Sequence, residues 1–281
     1  MAWTPTRVRE TLKARGLAPL HRLGQHFLVD PGRLDRIADA AGAAQFDCLE
    51  VGAGLGCLTE ALAVRGHRVV ALEIDRGFCA YLREAFQADP VTVVEGDALE
   101  VDLEAHVDPA KSVLCGNLPY YVTSPLLHRV LALPFVAYVV LIQREVADRL
   151  CAPPHDPGRG TLSVLVEAVG PARRLFDVPA SAFYPQPDVS SAVIRIDRRP
   201  GSLAREGFEA LEDTVGRVFR YRRKSIRQGL REGFGWPREE IESLLARTGL
   251  DGRARPADLS LGDWMCLTQG AQETGLRRDS K

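Results

Sequence analysis

Several features are scarce in this chain, and each scarcity excludes a class. No apolar run spans a bilayer: the longest, Val130 to Ile142, has 13 residues and contains Pro134. The first ten residues hold no apolar signal core, so secretion is not expected and the cytoplasm is the expected location. The six cysteines, Cys48, Cys57, Cys79, Cys115, Cys151 and Cys266, show no CxxC spacing. They read as buried or free thiols in a reducing compartment, and no metal is assigned. Lysine is rare, 4 residues against 32 arginines. Asparagine occurs once, at Asn117, which raises a chemical question about that position.

What remains is an ordinary globular composition. Of 281 residues 46% are hydrophobic and 26% charged, which rules out disorder, collagen and a low-complexity filament. The length fits one large domain, or a medium one with a small one. Charge is uneven. Residues 1–198 carry 20 basic and 24 acidic side chains, whereas residues 199–281 carry 16 and 13. Asp197 to Ser202 is polar and broken by Pro200 and Gly201, so a boundary is expected near 199. The expected domains are 1–198, opened by a basic arm over 1–29, and 199–281.

The first part alternates in type. Strand-like runs fall at Cys48–Val51, Arg68–Glu73, Val91–Glu95, Ser112–Cys115 and Val136–Ile142, with helical patterns between most of them. Leu162–Val169 and Ser191–Ile196 are expected to pair as an antiparallel end of the sheet. Such alternation predicts an α/β fold with a mainly parallel sheet, and ligands bind there at the carboxyl ends of strands.

The strand ends carry the chemistry. The first reads Glu50-Val51-Gly52-Ala53-Gly54-Leu55-Gly56 and leads into a helix. Gly52 and Gly54 let the backbone turn sharply and approach a ligand, though a plain tight turn reads the same way. The second ends in Glu73, whose carboxylate can accept both hydroxyls of a ribose. The third gives Asp97, an acceptor for an adenine amino group. A dinucleotide site usually has a third glycine one residue later. S-adenosylmethionine has no phosphate and tolerates the shorter turn.

The fourth strand end reads Asn117-Leu118-Pro119-Tyr120. An exocyclic adenine amine is a poor nucleophile, because its lone pair is delocalised into the ring. Acceptors for its two N–H groups, the Asn117 side-chain oxygen and the Leu118 carbonyl, draw density onto the nitrogen. Pro119 stiffens the turn, and Tyr120 offers a ring on which a base taken out of its stack can rest.

These motifs resemble those of the ribosomal RNA adenine N6,N6-dimethyltransferases, in particular the bacterial enzymes of the small subunit. The resemblance runs from about Gly24 to at least Leu230. It includes Gly24-Gln25-His26-Phe27-Leu28, Glu50 to Gly56, Glu73-Ile74-Asp75, Gly96-Asp97-Ala98, Asn117 to Tyr120, Gln143 to Val146, Ala182 to Pro187 and Phe219 to Leu230. It implies a Rossmann-like class I S-adenosylmethionine-dependent methyltransferase domain followed by a small all-helical domain. It implies that His26, Leu28, Gly52, Glu73, Asp97 and Asn117 line the S-adenosylmethionine site. Many relatives have Asn where this chain has His26. The resemblance gives Phe183 the opposite wall of the base pocket. Read from its own rigid loop, Phe183 can equally pack beneath it.

The segment Arg217 to Arg231 holds seven basic residues, Arg217, Arg220, Arg222, Arg223, Lys224, Arg227 and Arg231, and no acid. Its pattern from Phe219 on suits a helix, and the charge run points to phosphate contact. Arg7, Arg9, Lys13, Arg15 and Arg22 of the arm can extend that surface.

The expected function is dimethylation of N6 on two adjacent adenosines in the 3'-terminal hairpin loop of 16S rRNA, within small ribosomal subunit precursors. A monomer is expected. The alternatives are a large-subunit rRNA or DNA adenine methyltransferase, a ribosome-assembly binding factor without turnover and, more distantly, an oxidoreductase.

Overall fold

The structure is a computed structural model that describes residues 2–19 and 24–273. Arg22 of the basic arm lies outside the described residues. The chain divides into two compact units. One takes residues 1–147 and 171–198, the other 148–170 and 199–281. The units divide at 198/199, where the boundary was expected, but the second unit also takes residues 148–170 from the middle of the chain.

The first unit opens with α1 (Pro5–Arg15), capped by Thr4, whose side chain accepts the Arg7 N–H. Trp3, Val8 and Leu12 are buried, so the arm is a docked helix. Its Arg7 pairs with Glu60 and its Arg15 with Glu84. Then follow β1 (Phe27–Leu28), α2 (Pro31–Ala41), β2 (Asp47–Val51), α3 (Cys57–Val64), β3 (Val69–Glu73), α4 (Arg76–Ala85) and β4 (Val91–Glu95). Caps set the helix starts. Asp30 accepts the Arg33 N–H before α2, and Asp75 accepts the Gly77 and Phe78 N–H groups before α4. The chain continues through β5 (Ser112–Asn117), α5 (Thr123–Leu131), β6 (Ala137–Gln143) and α6 (Arg144–Leu150).

The sheet order is β4-β3-β2-β5-β6-β9-β7, where β7 is Ala172–Val178 and β9 is Ser191–Asp197. Strands β2 to β6 are parallel, and β9 runs antiparallel between β6 and β7. Residues in β3 and β6 are buried on both faces, which is why they read as unbroken apolar runs. From β2 the chain builds outward through β3 and β4, then returns to place β5 on the other side. The carboxyl ends of β2 and β5 thus flank a topological switch point. A separate two-stranded ladder joins β1 to β8 (Phe183–Tyr184), with Leu28 opposite Phe183.

The expected strand at Leu162–Val169 is instead α7 (Thr161–Val169), a helix of the second unit. Nearly every side chain in it is buried, so no polar face reveals the helical period. The strand that pairs with Ser191–Asp197 is the more polar Ala172–Val178.

The second unit packs α7 with α8 (Arg205–Phe219), α9 (Ile226–Phe234), α10 (Arg238–Thr248) and α11 (Leu261–Glu273). Phe208, Leu211, Val215, Val218 and Trp264 form its centre. Arg159 is buried there, 1% exposed. Its guanidinium donates to Glu167 at 2.6 Å, to the Ala152 carbonyl at 2.9 Å and to the Leu259 carbonyl at 3.4 Å.

The single helix expected from Phe219 to Arg231 is two helices with a turn over residues 220–225. Ser225 starts α9 and accepts the Gln228 N–H. The next two amides, of Ile226 and Arg227, donate to the carbonyls of Ala254 and Gly252 at 2.8 and 3.1 Å.

Candidate active site

The switch point opens into a cleft. The glycines of the turn after β2, Gly52, Gly54 and Gly56, have φ of 78°, 57° and 80°. At Gly54 a Cβ would also meet the Phe27 ring at 2.9 Å, so this turn tolerates no side chain. Behind the cleft, a Cβ on Gly116 would come within 2.6 Å of the Val51 carbonyl oxygen, so that glycine lets β5 approach the end of β2.

All seven residues assigned to the cofactor from sequence, His26, Leu28, Gly52, Gly54, Glu73, Asp97 and Asn117, line this cleft. Glu73 is 4% exposed. Its two carboxylate oxygens accept the Gly54 N–H at 2.7 Å and the Asp75 N–H at 2.9 Å. Burial raises its pKa, and these two bonds oppose the rise. They fix the carboxylate at the strand end with lone pairs left for a diol. Asp97 accepts the Leu99 N–H at 2.8 Å through Oδ1.

Asn117 ends β5. Its Nδ2 donates to the His26 carbonyl at 2.7 Å. With the amide nitrogen so committed, Oδ1 is the acceptor the side chain offers to a ligand. His26 Nδ1 lies 2.8 Å from the Pro185 carbonyl and donates to it, since a carbonyl can only accept. The imidazole stacks on Tyr120 with ring centres 5.9 Å apart. The Tyr120 hydroxyl hydrogen-bonds Ser191 at 2.9 Å. Leu118 donates its N–H to the Leu141 carbonyl at 3.0 Å, and Thr123 donates its hydroxyl to the Pro119 carbonyl at 3.0 Å. The Asn117–Tyr120 turn is thereby held from both sides.

The residues assigned to chemistry divide. Asn117 and Pro119 line the cleft, whereas Leu118, Tyr120 and Phe183 do not. Phe183 is 4% exposed and packs in the main core with Phe27 and Leu28. The structure thus gives Phe183 the packed position that its loop allowed, beneath the segment carrying His26.

Glu50 received no role from sequence. It lines the cleft at 2% exposure and accepts the Thr59 hydroxyl at 2.5 Å. Burial pushes its carboxyl up to about 8. Its position at the head of the glycine turn, in an otherwise apolar strand, was the available signal.

Of the seven basic residues, Arg217 pairs with Asp213, Arg227 with Glu242 and Arg231 with Glu232. Arg222 donates to the Pro157 carbonyl at 2.7 Å. Arg220, Arg223 and Lys224 lie exposed in the turn between α8 and α9.

The parallel sheet, the glycine turn at its switch point and a strand-end carboxylate set for a ribose define a class I methyltransferase. The cleft suits S-adenosylmethionine: it offers carboxylates, apolar walls and, among the described residues, no Lys or Arg that would call for a phosphate. The chain belongs to the ribosomal RNA adenine dimethylase family, which it matches over residues 20–272. It is a methyltransferase, and S-adenosylmethionine is its methyl donor.

Among its relatives, ribosomal RNA small subunit methyltransferase A of Deinococcus radiodurans is 42% identical over 264 residues, covering 92% of this chain and 88% of that protein. The protein of the same name from Desulfitobacterium hafniense is 38% identical over 271 residues, covering 92% and 95%. A dimethyladenosine transferase from Plasmodium falciparum shares the fold, with a TM-score of 0.75 at 23% identity over 88% of this chain and 97% of that one. The 23S rRNA methyltransferase ErmE superposes with a TM-score of 0.66 at 29% identity, covering 88% and 99%.

Glu73→Ala is expected to weaken S-adenosylmethionine binding by roughly 1.5–3 kcal/mol, the scale of lost hydrogen bonds to a charged group. Calorimetry on both proteins measures it. Unchanged affinity would leave Glu73 as a tie between the glycine turn and the Asp75 cap.

Proposed function

We propose that this enzyme dimethylates N6 of two adjacent adenosines in the 3'-terminal hairpin loop of 16S rRNA. The substrate is a small ribosomal subunit precursor in the cytoplasm, and the enzyme acts as a monomer. The observation that supports this most is Asn117, held at the switch point with its amide nitrogen bound to His26 and its oxygen available as an acceptor.

When bound, S-adenosylmethionine supplies an electrophilic methyl group on a positively charged sulfur. Asn117 Oδ1 and the Leu118 carbonyl accept the two N–H groups of the target amine and orient its lone pair. The ring of Tyr120, preset by Ser191 and His26, receives the flipped base. Phe183 serves by packing under Leu28 and so fixing the His26 segment. No side chain need remove a proton before attack, because the nitrogen sheds it afterwards. Incubating small and large ribosomal particles with labelled donor, followed by mass spectrometry of the nucleosides, tests the assignment. Dimethyladenosine in the small-particle RNA is expected. Label confined to large-subunit RNA would overturn it.

RNA docking is assigned to the second unit. Arg220, Arg223 and Lys224, exposed in one turn, are its phosphate contacts. Each alanine substitution is expected to reduce the salt slope of binding by roughly 1. Arg227→Ala, which removes a partner of Glu242, should leave the slope nearly unchanged. Filter binding across a salt series reads this. If none of the three substitutions moves the slope, RNA docks elsewhere, first of all on α1.

A further inference from the structure

The cofactor cleft carries an unbalanced charge. Among the described residues its wall contains three carboxyl groups, Glu50, Glu73 and Asp97, and no Lys or Arg. Glu50 sits level with Ala71 on the neighbouring parallel strand, so Glu73, two residues further along, shares its face. Two buried carboxylates on one face of neighbouring strands, with no Lys or Arg among the described residues of the wall, resist being ionised together. Glu73 accepts two backbone N–H groups, which favour its charged form.

Glu50 has less help. Thr59 of α3 donates one hydroxyl to it. The other titratable groups facing it are Cys48 on its own strand, Glu73 on β3, Cys57 on α3 and Cys115 on β5. None of these is a cation. Basic groups act on the cysteines of this cluster: Arg7 of α1 on Cys57, His67 on Cys48 and Arg195 of β9 on Cys115; Arg7 is paired with Glu60 and Arg195 with Asp197.

We infer that Glu50 makes the cleft selective for charge. It holds a proton while the cleft contains no cation, releases it to solvent when a cationic ligand enters, and regains one when the cleft holds the neutral product. This rests on S-adenosylmethionine being the donor. That molecule carries a sulfonium and an ammonium against one carboxylate, a net charge of +1. The demethylated product, S-adenosylhomocysteine, lacks the sulfonium charge and is neutral overall. Glu50 therefore favours the substrate over a product of nearly the same shape. Protons balance over a turnover: the amine loses one as its N–H becomes N–CH₃, and Glu50 takes one up. The position of this carboxyl near 8 puts the exchange within the working pH range of most cells.

The test is calorimetry on the full chain with each ligand, between about pH 6 and 9 and in two buffers of different protonation enthalpy. S-adenosylmethionine affinity should rise about tenfold per pH unit below the carboxyl's pKa and level off above it, the slope of one released proton. S-adenosylhomocysteine affinity should change by less than about twofold over the same range. Glu50→Gln should flatten the first curve and abolish proton release. Thr59→Val, close in shape and lacking the donor, should move the break to higher pH. Parallel pH curves for the two ligands in the native protein, or a slope that survives Glu50→Gln, would overturn the inference. Failure of the native protein to bind S-adenosylmethionine at any pH would instead overturn the donor itself, and is distinguishable because no slope is then read.

Discussion

Asn117→Ala lowers the single-turnover rate of methyl transfer by about 10²–10³, the loss seen when one preorganised electrostatic group is removed from a reacting centre. The expected result follows from the geometry at the end of β5. The Asn117 Nδ2 is bound to the His26 carbonyl, so the side chain cannot rotate to present its donor in place of its acceptor. Alanine removes the acceptor from the target amine and leaves the backbone turn, which is held by Leu118 and Thr123. RNA affinity is expected to stay within about twofold, since the proposed phosphate contacts are on the second unit. Rapid-quench transfer of labelled methyl groups separates the two quantities. An unchanged rate would reduce Asn117 to a tie between β5 and the His26 segment.

Arg159→Ala lowers the stability of the folded protein by about 2–6 kcal/mol, about 1–3 for each of the two buried carbonyls left without a donor. The substitution leaves two carbonyls, of Ala152 and Leu259, without their donor and Glu167 without its partner. Glu167→Gln keeps an oxygen that can accept from Arg159 but leaves a guanidinium that is 1% exposed without its counter-charge, so a loss of about 1–3 kcal/mol is expected. Urea denaturation followed by fluorescence measures both. Equal midpoints for Arg159→Ala and the native chain would show that the guanidinium is replaceable by solvent.

The sequence announced the site more fully than the fold around it. Gly52, Gly54, Glu73, Asp97 and Asn117 line the cleft at or just after strand ends, where glycines, acids and the Asn-Leu-Pro-Tyr turn have few structural substitutes, whereas His26 and Leu28 were legible only through the family resemblance. Leu162–Val169 misled because a helix buried on nearly all sides has lost the alternation that distinguishes it from a strand. Ala172–Val178 was passed over because an outer strand keeps exposed side chains such as Arg173 and Arg174. The break in the basic segment was readable: Ser225 and Gln228 stand at the spacing of a helix start, but the charge pattern drew attention to continuity. Phe183 and Glu50 needed the tertiary structure. Whether a phenylalanine faces a ligand or the core, and whether a carboxyl meets water or other carboxyls, depends on segments distant in the chain.

The middle segment of the second unit has a consequence for how the protein is made. Translation delivers residues 148–170 well before the helices that cover them, α8 and α11, have left the ribosome. At ~5–20 residues per second, the hundred or so intervening residues take on the order of 5–20 s to appear. Until α8 and then α11 arrive, Val164, Leu165 and Val166, each at most 1% exposed in the finished fold, lack part of their cover. The first unit meanwhile receives β7 and β9 and can close its sheet. The nascent chain therefore completes its catalytic half while carrying a partly covered apolar helix, a target for chaperones until synthesis reaches Trp264.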